Sequence, residues 1–352
     1  MTKDQLRKLL DSNILLLSSR PGAEQNFTEF YEEEMDRGAN VLFAPDLRTC
    51  GISAAVLEKV VAAAGEKAFS ACCIPPVEDG LSLYGGSCAY DEYYRRIYKQ
   101  AQTAYQAGVS FLILGGFSNL TEAKCAVFAA REACPLPLCV GLEFDDDILL
   151  ENGIDPVKAV ITLQSLGVCA VGAMGRNADD TLEALAQMRE FASVPLFALP
   201  SVSEFMTPED LADYMPEFAG NLCALAGTEN GSAAYTAALS KALWQLETFH
   251  PDFHEVHGIT GFSEIIFYDF KNQMIGENKR LLEISLERAE DAEPVVRRLI
   301  LSQSPPVCFK SKDLDALELV LKLYPGRAAV KSDEYGEIAA KEYGAFVLPE
   351  ER

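Results

Sequence analysis

Short apolar runs rich in β-branched residues alternate along this chain with longer stretches of helical period. The runs fall at residues 13–17, 40–44, 69–74, 110–115, 136–144, 168–174, 195–199 and 221–226, and each predicts a buried strand. Stretches such as "DEYYRRIYKQAQTAYQAG", "LTEAKCAVFAAREA", "DPVKAVITLQSLG", "ADDTLEALAQMREFA" and "SAAYTAALSKALWQLE" repeat apolar positions at helical spacing. Several have Asn, Asp, Thr or Ser near their starts and Gly at their ends, which predicts helices. Eight strand–helix units within about 245 residues fit a closed (β/α)8 TIM barrel, an α/β fold, better than an open doubly wound sheet. No G-x-G-x-x-G follows the first strand, so the pattern carries no dinucleotide fingerprint.

The regular alternation stops after residue 246. Residues 1–246 are therefore expected to form the barrel, and 247–262, within "TFHPDFHEVHGITGFSE", a linker. Residues 263–352 read as a partial α/β segment built from "PPVCFKS", "DLDALELVLKLY", "GRAAVKS", "DEYGEIAAKEYG" and "AFVLP". That segment is too short for a second barrel.

Composition narrows the function classes. Of 352 residues, 53 are Asp or Glu and 30 are Lys or Arg, a formal charge of −23 that repels phosphate backbones and anionic membrane surfaces. Neither nucleic acid nor membrane is an expected partner. The start, MTKDQLRKLLDSN, lacks the apolar core of a signal peptide, so a cytoplasmic location is expected. The ten cysteines are scattered through apolar contexts such as "FSACCIPP" and "LPLCVGLEF", which suits buried reduced thiols rather than a disulfide framework.

Several phrases together resemble a known family. "AYQAGVSFLILGGFSNLTEAKCAVFAARE", "GIDPVKAVITLQSLGVCAVGAMG" and "VPLFALPSVSEFMTPEDLADYMPEF" are similar, in order, to segments of the homocysteine S-methyltransferase domain, which forms the first module of cobalamin-dependent methionine synthases. The likeness covers residues 10–246. The tail phrases "GFSEIIFYDFKNQMIGEN" and "SPPVCFKSKDLDALELVLKLYPGRAAVKS" resemble the opening of the pterin-binding module, with Ile275-Gly276-Glu277 at its entry strand. Lys310-Ser311 stands where that module places an acidic residue before serine.

The resemblance implies a zinc site of three thiolates, one following the sixth strand and two ending the eighth, that holds homocysteine as a nucleophile. By position those ligands fall at Gly175, Leu225 and Ala226. Other implied contacts are also replaced: Ser18-Ser19-Arg20-Pro21-Gly22 stands for an Asp-Gly-rich turn, Ala44-Pro45-Asp46 for an Asn-containing turn, and Gly115 for a glutamate. Zinc is not expected at the barrel mouth and no other cofactor is predicted. Rescue by other cysteines meets an obstacle of depth. Cys223 shares the parity of Leu225 and reads as pointing inward one layer deeper, Cys72 and Cys73 lie near the third strand's end, and Cys139 and Cys169 lie near the starts of the fifth and sixth. One layer is roughly 6–7 Å, against zinc–sulfur bonds of about 2.3 Å.

What the mouth has instead is charge. Arg20, Arg48 and Arg176 follow the first, second and sixth strands, and Thr228, Asn230 and Ser232 open a helix after the eighth. Converging guanidinium groups beside free helix amides would suit a small carboxylate or phosphate, whereas the plainer reading pairs each arginine with a carboxylate such as Asp46 or Asp179. Glu143 at the fifth strand end is a candidate base or hydrogen-bond acceptor, and Asp145-Asp146-Asp147 beside it reads as a solvated loop. All three histidines lie in "HPDFHEVH". His250, His254 and His257 have spacings that would share a helical face for a metal, with Asp252 and Glu255 as oxygen ligands. Pro251 and Gly258 oppose a helix, so an exposed linker is the plainer reading.

Two classes of function stay open. One is a divergent methyltransferase or other one-carbon protein with a different, metal-independent site, or a subunit for a corrinoid- or pterin-carrying partner. The other is a non-catalytic anion-binding, regulatory or scaffold protein, with the C-terminal segment as a route to homo-oligomers.

Overall fold

The computed structural model describes residues 1–21, 26–45, 53–246, 251, 253, 256–268, 274–275, 280–331 and 335–348, with the side chains of residues 152 and 275 outside that description. After helix α1 (Lys3–Leu10), strands and helices alternate: β1 (Leu15–Leu16), α2 (Phe27–Asp36), β2 (Val41–Phe43), α3 (Ala54–Ala64), β3 (Phe69–Ile74), α4 (Tyr90–Gln106), β4 (Phe111–Phe117) and α5 (Leu120–Ala133). They continue with β5 (Leu138–Leu142), α6 (Pro156–Ser165), β6 (Ala170–Met174), α7 (Ala178–Arg189), β7 (Leu196–Leu199), α8 (Pro208–Ala212), α9 (Met215–Gly220), β8 (Cys223–Ala226) and α10 (Ala233–Leu243). The strands form one parallel sheet in the order β1-β8-β7-β6-β5-β4-β3-β2. It closes where Leu17 bridges Val41 and the Ser18 amide donates to the Val41 carbonyl at 2.8 Å. The chain thus forms the (β/α)8 barrel that its hydrophobic pattern predicts.

Local chemistry sets the helix starts. Asn119 accepts from the amides of Thr121 and Glu122 ahead of α5, and Asn177 accepts from Asp180 ahead of α7. Asp155 caps α6 with Pro156 in the first turn, where its missing N–H costs nothing. Inside the barrel, Leu15, Leu17, Val41, Phe43, Phe111, Ile113, Met174, Phe197, Leu199 and Leu225 form one buried cluster, with Leu6 and Leu10 of α1 closing its floor. The alternate residues of the same strands join a second cluster with the helices.

This division corrects one expectation. Cys223 belongs with the outer cluster, while Ala224 and Leu225 face the interior. The cause is a register shift between β7 and β8, where Leu196 pairs with Cys223 but Phe197 pairs with Leu225; one extra residue reverses the parity. Cys223 therefore cannot serve as a deeper substitute ligand.

Beyond the barrel, β9 (His257–Thr260), β10 (Ile265–Tyr268) and β11 (Met274–Ile275) form an antiparallel sheet. Then β12 (Leu282–Leu286), α11 (Ala292–Leu301), β13 (Val307–Ser311), α12 (Leu314–Leu323), β14 (Ala329–Lys331), α13 (Gly336–Tyr343) and β15 (Phe346–Leu348) make a four-stranded parallel sheet in sequence order, half of a barrel by topology. One face of it, with Cys308, Ala329 and Phe346, is covered by Ile259 and Tyr268 from the antiparallel strands, and Tyr268 stacks on Phe346 at 4.6 Å.

The two C-terminal sheets pack on the barrel, the antiparallel one against α6 and Phe191 just past α7, and the half-barrel against α5. Phe191 stacks on Phe267 at 5.5 Å, Thr162 meets Thr260 at 3.3 Å, and Arg131 pairs with Glu342 at 3.0 Å. The central contact is Lys124 of α5, buried, whose ammonium donates to the carbonyls of Leu321, Tyr324 and Gly326 at 3.0, 2.5 and 3.1 Å. Three donors meet three acceptors at the negative end of α12, so the group is satisfied although out of water. Burial still pulls its pKa down to about 7. Among the described residues, no helix is long and apolar enough to cross a membrane.

Candidate functional site

The C-terminal ends of the eight strands define the mouth, the usual place for chemistry in this fold. At the end of β6, Met174 points into the interior cluster, against β4 and β5. An added Cβ at Gly115 on β4 would lie 2.8 Å from the Met174 sulfur and 3.0 Å from the Cys73 sulfur, and one at Gly141 on β5 would lie 2.5 Å from the Met174 sulfur. The two glycines make room for the thioether.

Gly175 follows with φ of +84°, a left-handed conformation that side chains resist. An added Cβ there would approach the Glu143 carboxyl carbon to 2.9 Å. Glu143 also lies beside Gly116, whose added Cβ would be 3.9 Å from its Oε2. A cysteine at position 175 and Glu143 in its present place therefore exclude one another. On β8, Leu225 is 1% exposed in the interior cluster, paired with Leu15 and Phe197, and Ala226 turns to the outer layer, paired with Leu16 and Ala198.

The side chains at Gly175, Leu225 and Ala226 carry no atom that can coordinate a zinc ion. The nine described cysteines are all buried and none is in a disulfide. Burial raises the thiols of Cys72 and Cys139 far up, and those of Cys223 and Cys125 to about 12, which opposes thiolate formation. No group of three or more His, Cys, Asp and Glu suited to a metal occurs among the described residues. His250 and His254 lie outside those residues. His257 begins strand β9, opposite Tyr268, so the shared helical face expected of the three histidines does not extend to it. The backbone there needs sheet partners, and Gly258 suits a strand packed closely on Ile161.

The charged candidates occupy different parts of the mouth. Arg20 turns over the Phe43 ring, 4.2 Å from its centroid, at the edge of the barrel interior. Its turn is fixed by a buried carboxylate. Glu34 of α2 accepts from the Ser19 amide at 3.2 Å, from the Ser19 hydroxyl, and from the Thr236 hydroxyl of α10 at 2.7 Å. Ser18 in turn accepts from the Phe43 amide at 2.9 Å, and Tyr31 donates to the Phe43 carbonyl at 2.7 Å. Arg176 pairs with Asp146 and, through Nε at 3.2 Å, with Asp180. The surface-pair reading thus describes Arg176, with different partners from those expected: Asp179 accepts from the Tyr214 hydroxyl at 2.6 Å, while Asp46, like Arg48, lies outside the described residues.

The turn after β8 is largely self-satisfied. Gly227 donates to Ala198 and Glu229 to Pro200, while the Thr228 hydroxyl accepts from Gly231 at 3.0 Å. Asn230 bonds both the amide and the carbonyl of Val202, at 2.7 and 3.1 Å. Ser232 occupies the cap position of α10, but its hydroxyl makes no capping bond. These amides were expected to face an anion; Gly231 is bonded within the turn, and Gly227 and Glu229 are bonded to Ala198 and Pro200. The Asp145 carboxylate likewise bonds the amides of Asp147 and Leu149, the local loop role expected of that acidic run.

Sequence reading overlooked Glu34 and Met174. Glu34 sits in "FTEFYEEEMD", where nothing marks it apart from its exposed neighbors, and Met174 looks like any core residue.

Residues 44–233 match the family model described as homocysteine S-methyltransferase. Among solved structures, the chain is similar to the apo form of the Escherichia coli homocysteine methyltransferase MmuM, at 19% identity and a TM-score of 0.56, covering 67% of this chain and 99% of that one. The metallated form of the same enzyme aligns over the same shares at 17% identity and a TM-score of 0.54. No curated protein matches in sequence.

Proposed function

Because the chain belongs to the homocysteine S-methyltransferase family, whose model spans more than half of it, we propose that it keeps the family's barrel but not zinc–thiolate activation of homocysteine. The observation that carries this reading is the mutual exclusion at Gly175: the carboxyl of Glu143 takes the space in which a ligand side chain would start. In place of that chemistry, the barrel acts as a binding module for a small carboxylate or phosphate at the mouth. Arg20 is its anchor, because its guanidinium lies over the Phe43 ring at the edge of the barrel interior, on a turn whose Ser19 is held by buried Glu34.

A second reading, methyl transfer to a different nucleophile without metal, is favored by Glu143, a carboxylate placed beside the Gly116 backbone where it can orient a substrate. One set of measurements separates the readings. Purified protein is analyzed for zinc, then assayed for methionine formation from homocysteine with methyl-tetrahydrofolate, methylcobalamin and S-methylmethionine. Thermal shifts are recorded against a panel of carboxylates and phosphates. Substoichiometric zinc, no turnover, and a shift lost in Arg20→Ala support the binding module. Stoichiometric zinc with turnover overturns it.

A further inference from the structure

We infer that the C-terminal half-barrel is a strap that sets the β3–α4 loop at the barrel mouth, so that docking of the half-barrel and order of that loop are coupled. The loop, residues 75–89, starts at the mouth, where Pro76 lies beside Gly116, 3.9 Å from an added Cβ. It is a compact double turn: the Ser82 amide donates to Cys88, the Cys88 amide to Gly80, and the Gly86 amide to Leu81. A side chain at Gly86 would lie 2.3 Å from the Gly80 carbonyl, so the turns close only around glycine.

The barrel's own α4 holds this unit where the Val77 amide donates to the Tyr93 hydroxyl at 3.2 Å and Arg96 pairs with Asp79 at 2.6 Å; three further attachments add to these, and two of them involve the half-barrel. The first is internal to the barrel: Glu122 of α5 accepts from the Leu81 amide at 2.7 Å and from the Tyr93 hydroxyl at 3.1 Å. The second runs directly from α11, where Arg297 donates to the carbonyls of Leu83 and Ser82 at 3.3 and 3.2 Å. The third is a relay through α5. The Thr121 hydroxyl donates to the Leu323 carbonyl at the end of α12, at 3.3 Å, which leaves its oxygen to accept from the Tyr84 hydroxyl at 2.6 Å. One turn along, Lys124 fixes the same end of α12. These hydrogen bonds form when the half-barrel is docked, and by linkage the coupling runs both ways.

Hydrogen exchange followed by mass spectrometry on the full chain tests this. The variants are Arg297→Ala, Thr121→Val and the pair together, with melting temperature as the check on global folding. Arg297 is partly exposed and its loss leaves the cores intact. The expected result is exchange about tenfold faster across residues 79–88 in the double variant, with smaller gains in the single ones and no change in β5 to β8. Lys124→Met, which loosens the end of α12, accelerates the same loop without touching it. Loop protection unchanged in a folded double variant overturns the inference, and so does a uniform rise throughout the barrel.

Discussion

Met174 and Gly115 claim one volume: the methionine sulfur sits 2.8 Å from where a side chain at Gly115 would begin. Three neighboring strands, β4, β5 and β6, are fitted around that thioether at the depth where the family's chemistry would take place.

The fit makes a graded prediction for glycine replacements. Gly115→Ala meets the far end of a flexible side chain, whereas an added Cβ at Gly172 would lie 2.3 Å from the Phe197 carbonyl oxygen, which belongs to the β7 backbone. Gly172→Ala is expected to cost about 3 kcal/mol or more and Gly115→Ala about 1 kcal/mol, by urea denaturation. Equal costs at the two sites would show that Met174 cannot move.

Zinc binding should not return by restoring thiols alone. The triple variant Gly175→Cys, Leu225→Cys, Ala226→Cys keeps Glu143 across position 175, with φ unfavorable to a side chain. Metal analysis is expected to find zinc well below one per chain, and to find more once Glu143→Ala is added. Full occupancy in the triple variant would remove the steric argument.

Glu34 is expected to matter far more than its acidic neighbors. Glu34→Ala leaves the Ser19 amide and the hydroxyls of Ser19 and Thr236 without their buried acceptor, a loss of about 3 kcal/mol. Replacing exposed Glu33 by alanine should cost under about 1 kcal/mol. Parallel denaturation curves for the two variants decide it, and similar midpoints would contradict the buried role.

Lys124 gives stability a distinct pH dependence. Its ammonium is held at about 7 by burial but titrates near 10.4 when the chain unfolds, so between those values the unfolded state binds more protons. Stability from this group therefore rises with pH across that window and is lost as pH falls through it toward 7. Relative to Lys124→Met, the native chain should gain on the order of 2 kcal/mol between pH 7 and pH 9. A difference independent of pH would mean that the three carbonyls keep the proton on.

For the ligand, the two arginines should behave differently. Arg176→Ala removes a partly exposed pair and is expected to change stability by under about 1 kcal/mol and anion binding little. Arg20→Ala should weaken binding about tenfold or more, measured by calorimetry with the best anion from the panel. The reverse ranking would move the site to the sixth strand.

The barrel itself was legible in the sequence, because a strand covered on both faces must be apolar throughout and a helix packed on one side must repeat its apolar residues every third or fourth position. The same reading located Gly175, Leu225 and Ala226 at strand ends, where the absence of metal-binding atoms needs no coordinates. Tertiary structure decided the rest. A one-residue bulge in β8 turned Cys223 outward, since parity along a strand holds only while its neighbor keeps register. Arg20 and Arg176 look alike in sequence, yet one lies on Phe43 and the other between Asp146 and Asp180, because a long side chain goes to whichever partners the surrounding loops bring within reach. Glu34 and Lys124 are buried where their helices read as ordinary, and their acceptors and donors come from segments up to about 200 residues away. Composition and periodicity are local properties; the pairing of buried charge is not, and it formed only when distant parts of the chain met.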